Sequence, residues 1–157
     1  MKKITITKKD LDKDNFYKKD SLDFDGHIVL EASLGYVRFK LGISAKGCIS
    51  AKAGSGIEAG EGIKAGEGIE AGEGIEAGEG IEAGEGIEAG WGIKAGWGIK
   101  AGEGIKAGEG IVTFFGDIIA KWIECLRIAV GFNSSEQKTI TAKIKKGDII
   151  FGKVINK

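Results

Sequence analysis

Isoleucine recurs every six residues at 57, 63, 69, 75, 81, 87, 93, 99 and 105, and alanine follows each by two positions. Residues i and i+2 share one face of an extended strand, so each Ile–Ala pair points the same way and the Glu or Lys between them points outward. A Gly-x-Gly triplet closes every hexad over 57–110. Glycine takes φ > 0 without steric cost, so the triplet predicts a corner. A short strand and a sharp corner, repeated, predict a coil wound around a stack of Ile and Ala. A helix is excluded: the tract holds 18 glycines in 54 residues, and at ~1 kcal/mol each they would cost a helix about 18 kcal/mol. An elastin-like disordered chain has no need of so strict a register.

Charge sets the number of hexads per turn. Strands of a coil stack ~4.8 Å apart, and like charges directly opposite one another weaken the ladder. The outward residues between Ile and Ala are Glu58, Lys64, Glu70, Glu76, Glu82, Glu88, Lys94, Lys100 and Lys106. Three hexads per turn stack two like pairs (58/76 and 70/88) and four opposite pairs, whereas two hexads per turn stack four like and three opposite. The residues between the two glycines give three like pairs either way. A three-sided coil of about 18 residues per turn is the expectation.

Toward the N-terminus the pattern decays through Ile49–Ala51, Ile43–Ala45, Val37–Phe39 and Ile28–Leu30, with a two-residue insertion before Ile57. After Ile111 glycines thin out and Phe114, Phe115, Trp122, Leu126 and Phe132 arrive. Residues 117–130 and 138–144 alternate as strands, and Gly147-Asp148 predicts a turn into 149–155. The expected fold is all-β. An N-terminal strand and charged loop occupy 1–21, a single β-solenoid 22–130, and a β cap that closes the open sheet edges 131–157.

The Ile-x-Ala-Gly-x-Gly tract, over 43–110, resembles the glycine-rich short-repeat β-helix segments of bacterial and phage-borne proteins. That resemblance implies a setting: a phage or mobile-element inhibitor of a nucleic-acid enzyme, such as a defence nuclease, acting in the host cytoplasm. The repeat differs from that of the left-handed hexapeptide acyltransferases, which place a small residue two positions before the aliphatic one. Here Ala follows Ile, and acyl transfer is not implied.

Glycine is 28 of 157 residues and proline is absent, which excludes collagen. The net charge is zero, yet residues 57–110 carry 12 Glu and 4 Lys between two basic ends. The start MKKITITKKD has no apolar core of a signal peptide, and no apolar run in the chain is long enough to cross a bilayer. Neither export nor a membrane span is expected, so Cys48 and Cys125 read as reduced thiols in a cytoplasmic protein.

Catalysis finds no foothold. His27, the only histidine, follows Asp25-Gly26 at an expected turn with no triad partners nearby in sequence. Asp10-x-Asp12-x-Asp14 imitates a calcium loop, but Asn15 and Ser21 stand where glycine and glutamate are needed. The Gly-x-Gly triplets precede no helix and bind no dinucleotide. Neither cysteine has a His or Cys at metal-ligand spacing, so no metal, cofactor or catalytic residue is assigned.

The candidate binding residues lie on the repeat surface. Glu61, Glu67, Glu73, Glu79 and Glu85 fill the slot between the glycines, and Trp91 and Trp97 then replace Glu at two successive corners. With Lys94 and Lys100 they form an aromatic and basic patch beside an acidic region, and tryptophan is enriched at binding hot spots. Over three turns, ~14 Å, the net charge of −8 approaches the ~1.7 Å charge spacing of duplex DNA. The functional expectation is therefore a non-enzymatic protein whose acidic solenoid binds a basic surface of a protein partner. Direct nucleic-acid binding and membrane contact are not expected. The alternative is a self-associating scaffold, a homo-oligomer or short filament.

Overall fold

A computed structural model describes residues 1–155. The described residues are all β apart from one 3-10 turn at Lys8–Asp10. No helix among the described residues is long and apolar enough to cross a membrane. The strands are β1 (Lys2–Ile6), β2 (Leu22–Phe24), β3 (Gly26–Leu30), β4 (Gly35–Phe39), β5 (Ile43–Ala45), β6 (Ile49–Ala51) and β7 (Ser55–Ala59). Then come β8 (Ile63–Ala65), β9 (Ile69–Ala71), β10 (Ile75–Ala77), β11 (Ile81–Ala83), β12 (Ile87–Ala89), β13 (Ile93–Ala95) and β14 (Ile99–Ala101). The C-terminal strands are β15 (Gly104–Ala107), β16 (Gly110–Thr113), β17 (Ile118–Val130), β18 (Thr139–Phe151) and β19 (Lys153–Ile155).

Every named pairing is parallel, and the strands β2 to β14 each pair with the strand three places on. The coil is three-sided. Ile57 meets Ile75, Ile75 meets Ile93, and Ile63 meets Ile81, so each turn of the repeat takes three hexads. The outward ladder follows the charge argument: Glu58/Glu76 and Glu70/Glu88 are the like pairs, and Glu82 lies between Lys64 and Lys100. The ion pairs are exposed and each contributes at most about 1 kcal/mol; their value is in disfavouring the two-sided register.

The first side stacks β1, β3, β6, β9, β12 and β15; the second stacks β4, β7, β10, β13 and β16; the third stacks β2, β5, β8, β11 and β14. Early turns are longer, because Ile4 pairs with Ile28, Ile28 with Ile49, and Ile49 with Ile69. The insertion before Ile57 is absorbed at Gly54, whose φ of +73 only glycine takes readily, and by buried Ser55. The Ser55 hydroxyl accepts from the Leu34 N–H and donates to the Glu31 carbonyl.

The Ile and Ala of all nine hexads are buried. Ala71 lies in a stack of alanines between Ala51 and Ala89, where added methylenes have no room. Ala71→Leu is expected to cost ~1–3 kcal/mol, and Glu70→Gln, on the outer surface, to stay within about 0.5 kcal/mol. Urea titrations check the difference; equal effects would mean the two faces are inverted.

The corner glycines work differently from expectation. None in the 57–110 tract has positive φ. Their need is close approach instead. A Cβ on the first glycine of a triplet, such as Gly84 or Gly96, would drive into the carbonyl oxygen of the glycine one turn earlier, Gly66 or Gly78. The second glycine is less confined: a Cβ on Gly68, Gly80 or Gly86 would lie 3.4, 3.4 or 3.5 Å from the next turn's carbonyl.

The ends use other devices. β1 pairs with β3, and Phe16 bridges to Arg38, so the N-terminal segment lies on the coil as its first rung. β17 runs along all three sides in turn, against β14, β15 and β16. β18 stacks on it with register shifts that turn the corners without glycine triplets. The expected turn at Gly147-Asp148 is a bend inside β18, with φ +138 at Gly147; the strand ends before Gly152.

Candidate functional site

The winding sorts outward side chains into two sets. On the flat sides most carboxylates face cations one turn away, as Arg38–Glu58 at 2.9 Å, Lys94–Glu76 at 3.5 Å and Lys106–Glu88 at 2.8 Å, while Glu70 lies between Ser50 and Glu88. Glu82 is shared by Lys64 and Lys100, each at 3.6 Å. At the corners, backbone N–H groups bond to the carbonyl one turn before, as Glu79 to Glu61 and Glu85 to Glu67. There Glu61 stacks on Glu79, and Glu67, Glu85 and Glu103 on one another. Among the described residues, Glu61, Glu73, Glu79, Glu85 and Glu109 form no ion pair, while Glu103 meets Lys121.

The five expected corner glutamates lie in three separate columns. Glu61 and Glu79 continue to Trp97, Glu67 and Glu85 continue to Glu103, and Glu73 continues to Trp91 and Glu109. Trp91 and Trp97 therefore bracket the side that carries Lys94, and Lys100 belongs to the next side. Trp97 is 61% exposed and packs its ring 5.9 Å from Phe115. Trp91 is 53% exposed and lines a shallow groove with Tyr36, Glu76, Lys94 and Glu109.

Each column of second glycines leaves a groove between side and corner. Tyr36 lies along one, its ring over Gly56 and its hydroxyl over Gly74. Trp122 lies over Gly104 in another, with the Lys145 ammonium 3.8 Å from a ring centroid. The stretch between Cys48 and Trp122 is an open groove of about 370 Å³ with Gly68 and Gly86 in its floor and Glu70, Glu85, Glu88 and Glu103 at its rims. A glycine floor with carboxylate rims accommodates the aliphatic stem and cationic head of Lys or Arg. Neither Tyr36 nor Trp122 was expected as a site residue. Their signal was position: Tyr36 immediately precedes the strand core residue Val37, and Trp122 precedes Ile123, the slot that glycine holds in the repeat.

At the base of the same corner column, His27, Cys48 and Glu67 meet. The Cys48 N–H donates to His27 Nδ1 at 3.0 Å, and Cys48 Sγ–H donates to Glu67 Oε2 at 3.0 Å. His27 Nδ1 lies 3.7 Å from the same oxygen. Burial raises the Cys48 thiol above its ordinary pKa, and its bond to Glu67 adds to this. Burial pushes Cys125 further, to about 11; at neutral pH it is an unreactive thiol in the core.

The Asp10, Asp12 and Asp14 series is used for the backbone. Asp10 Oδ2 accepts from the Thr7 N–H at 2.8 Å and the Thr7 hydroxyl at 2.9 Å, which hold its carboxyl below the ordinary range. Asp12 Oδ1 accepts from the N–H groups of Asp14 and Phe16. No family model, curated protein or solved structure matches the chain.

Proposed function

We propose that the protein is a non-enzymatic docking module, its corner carboxylates and glycine grooves receiving a basic, extended surface of a protein partner. The observation that carries this reading is the division of the carboxylates. Glu58, Glu76, Glu82 and Glu88 on the sides each have a lysine or arginine one turn away, whereas at the corners Glu61 stacks on Glu79 and Glu67 on Glu85 with no lysine or arginine paired to them among the described residues. Stability gives no reason for such columns, since lysine at alternate corners would relieve the repulsion. Seven corner carboxylates over three turns amount to one per ~2 Å, near the ~1.7 Å of duplex DNA. A groove evolved for nucleic acid, as in a defence nuclease, is a partner surface of matching charge.

The full chain, immobilised, is expected to retain a basic protein from host lysate and release it as salt rises. Changing Glu67, Glu73, Glu79 and Glu85 to Gln should lower the on-rate and flatten its salt dependence. Changing Trp91 and Trp97 to Glu should raise the off-rate with little change in the on-rate. Gly86→Leu fills the groove without altering charge and should weaken capture. A partner held equally by all three variants would place the interface on the basic ends.

A second reading has its own support. Phe132, Ile149, Ile150, Phe151 and Ile155 are exposed on the C-terminal strands and the loop before them, which favours a self-associating scaffold. Sedimentation separates the two: apolar self-association persists at high salt, and electrostatic docking does not.

A further inference from the structure

We propose that His27, Cys48 and Glu67 form a mononuclear site for a thiophilic divalent transition metal ion of the Zn2+ type, with a fourth position open to water. One ligand atom from each of the three residues lies within 4.8 Å of the others. Tetrahedral Zn2+ sets S···O and N···O separations of about 3.3–3.6 Å. The observed Sγ···Oε2 of 3.0 Å and Nδ1···Oε2 of 3.7 Å bracket that range. With all three atoms within 4.8 Å of one another, small movements bring them onto one ion. The set of nitrogen, sulfur and carboxylate oxygen suits Zn2+ and disfavours Mg2+ and Ca2+, which take oxygen ligands.

A second observation is independent of those distances. Within the repeat, the slot between the glycines holds Glu or Trp, and the next slot holds Gly. In the hexad beginning at Ile43 both change together: Gly47 stands in the first and Cys48 in the second. A Cβ at Gly47 would lie 2.5 Å from His27 Nδ1 and 2.8 Å from its Cε1. The corner has lost its side chain where the only imidazole sits, and the adjoining glycine has become a thiol. The His27 and Glu67 side chains remain 32% and 38% exposed, so an ion has a path in and water a place on it.

The ligands come from three successive turns. His27 precedes Ile28, Cys48 precedes Ile49, and Glu67 stands two residues before Ile69, all on the side where these isoleucines stack. Binding replaces two hydrogen bonds: the lone pair of His27 Nδ1 passes from the Cys48 N–H to the ion, and the Cys48 thiol loses its proton to solvent as sulfur coordinates. No redox change is involved. The bound ion clips the N-terminal turns to the first perfect hexads.

The test uses the reduced, metal-stripped full chain titrated with Co2+ under anaerobic conditions. The expected result is one equivalent bound, with a near-ultraviolet thiolate-to-cobalt charge-transfer band and tetrahedral ligand-field bands that Zn2+ abolishes. Cys48→Ser should remove the charge-transfer band and Cys125→Ser should keep it. His27→Gln and Glu67→Gln should each weaken binding at least about tenfold, with far-UV circular dichroism confirming that each variant is folded. Zn2+ should raise Tm of the wild type and leave that of Cys48→Ser unchanged. A titration without the charge-transfer band, a band that survives Cys48→Ser, or unaltered affinity in both His27→Gln and Glu67→Gln would overturn the proposal.

Discussion

Gly96→Ala is expected to destabilise the protein by about 3–5 kcal/mol, at the upper end of what single substitutions do. Its Cβ, whose position the backbone fixes, would drive into the Gly78 carbonyl oxygen, which is itself backbone, so neither atom can rotate away. Relief requires the two turns to part, which breaks the Gly96 N–H bond to the Ala77 carbonyl at 3.0 Å. Gly86→Ala is the control. There a Cβ would lie 3.5 Å from the Gly104 oxygen, an ordinary contact, and φ is not positive. Alanine also reduces the freedom of the unfolded chain, so this change should be neutral or stabilising by up to about 1 kcal/mol. Urea midpoints at constant m check the pair; equal losses would show that the corners are not close-stacked.

Ile81→Ala should cost about 4 kcal/mol, above the middle of the range for buried Ile. Ile81 is buried between Ile63 and Ile99 in its column. In a helical bundle, neighbours move in to fill part of such a cavity. Here the spacing between turns is fixed by bonds such as Ile81 N–H to the Gly98 carbonyl at 3.0 Å, so collapse is limited. Glu82→Ala on the adjacent outward position removes only exposed pairs and should cost at most about 1 kcal/mol. A loss below about 1 kcal/mol for Ile81→Ala in chemical denaturation would show a core able to close around the void.

The sides of the coil were legible in the sequence because a strict repeat makes ladder neighbours a fixed distance apart. The alternation of Lys64, Glu82 and Lys100 then distinguishes three hexads per turn from two. The reason for the glycines was not legible. Positive φ and close backbone approach both demand glycine, and only the carbonyl facing Gly84 or Gly96 tells them apart. The meeting of His27, Cys48 and Glu67 was hidden for a related cause. Each lies a whole turn from the next, far outside local ligand spacings, and they become neighbours only in a coil whose early turns are longer than three hexads. Tyr36 and Trp122 were hidden because a glycine column reads as corner, while in space it is a groove into which a ring can lie. The corners of β17 carry no compositional mark, since register shifts replace the triplets there, and in β18 glycine marks only the bend at Gly147.

The three-sided winding also makes hexad number a phase. Every hexad brings the same Ile and Ala to the core, so removing one would leave the interior intact while rotating all that follows by a third of a turn. Removing residues 81–86, for example, would move Trp91 from the column of Glu73 to that of Glu67, and Lys94 would stand over Glu70 instead of Glu76. Removing three restores the phase and shortens the molecule by one turn. The core thus has a period of one hexad and the surface a period of three. Length variants in multiples of three should retain the partner, and the others should keep the fold while scrambling what it displays.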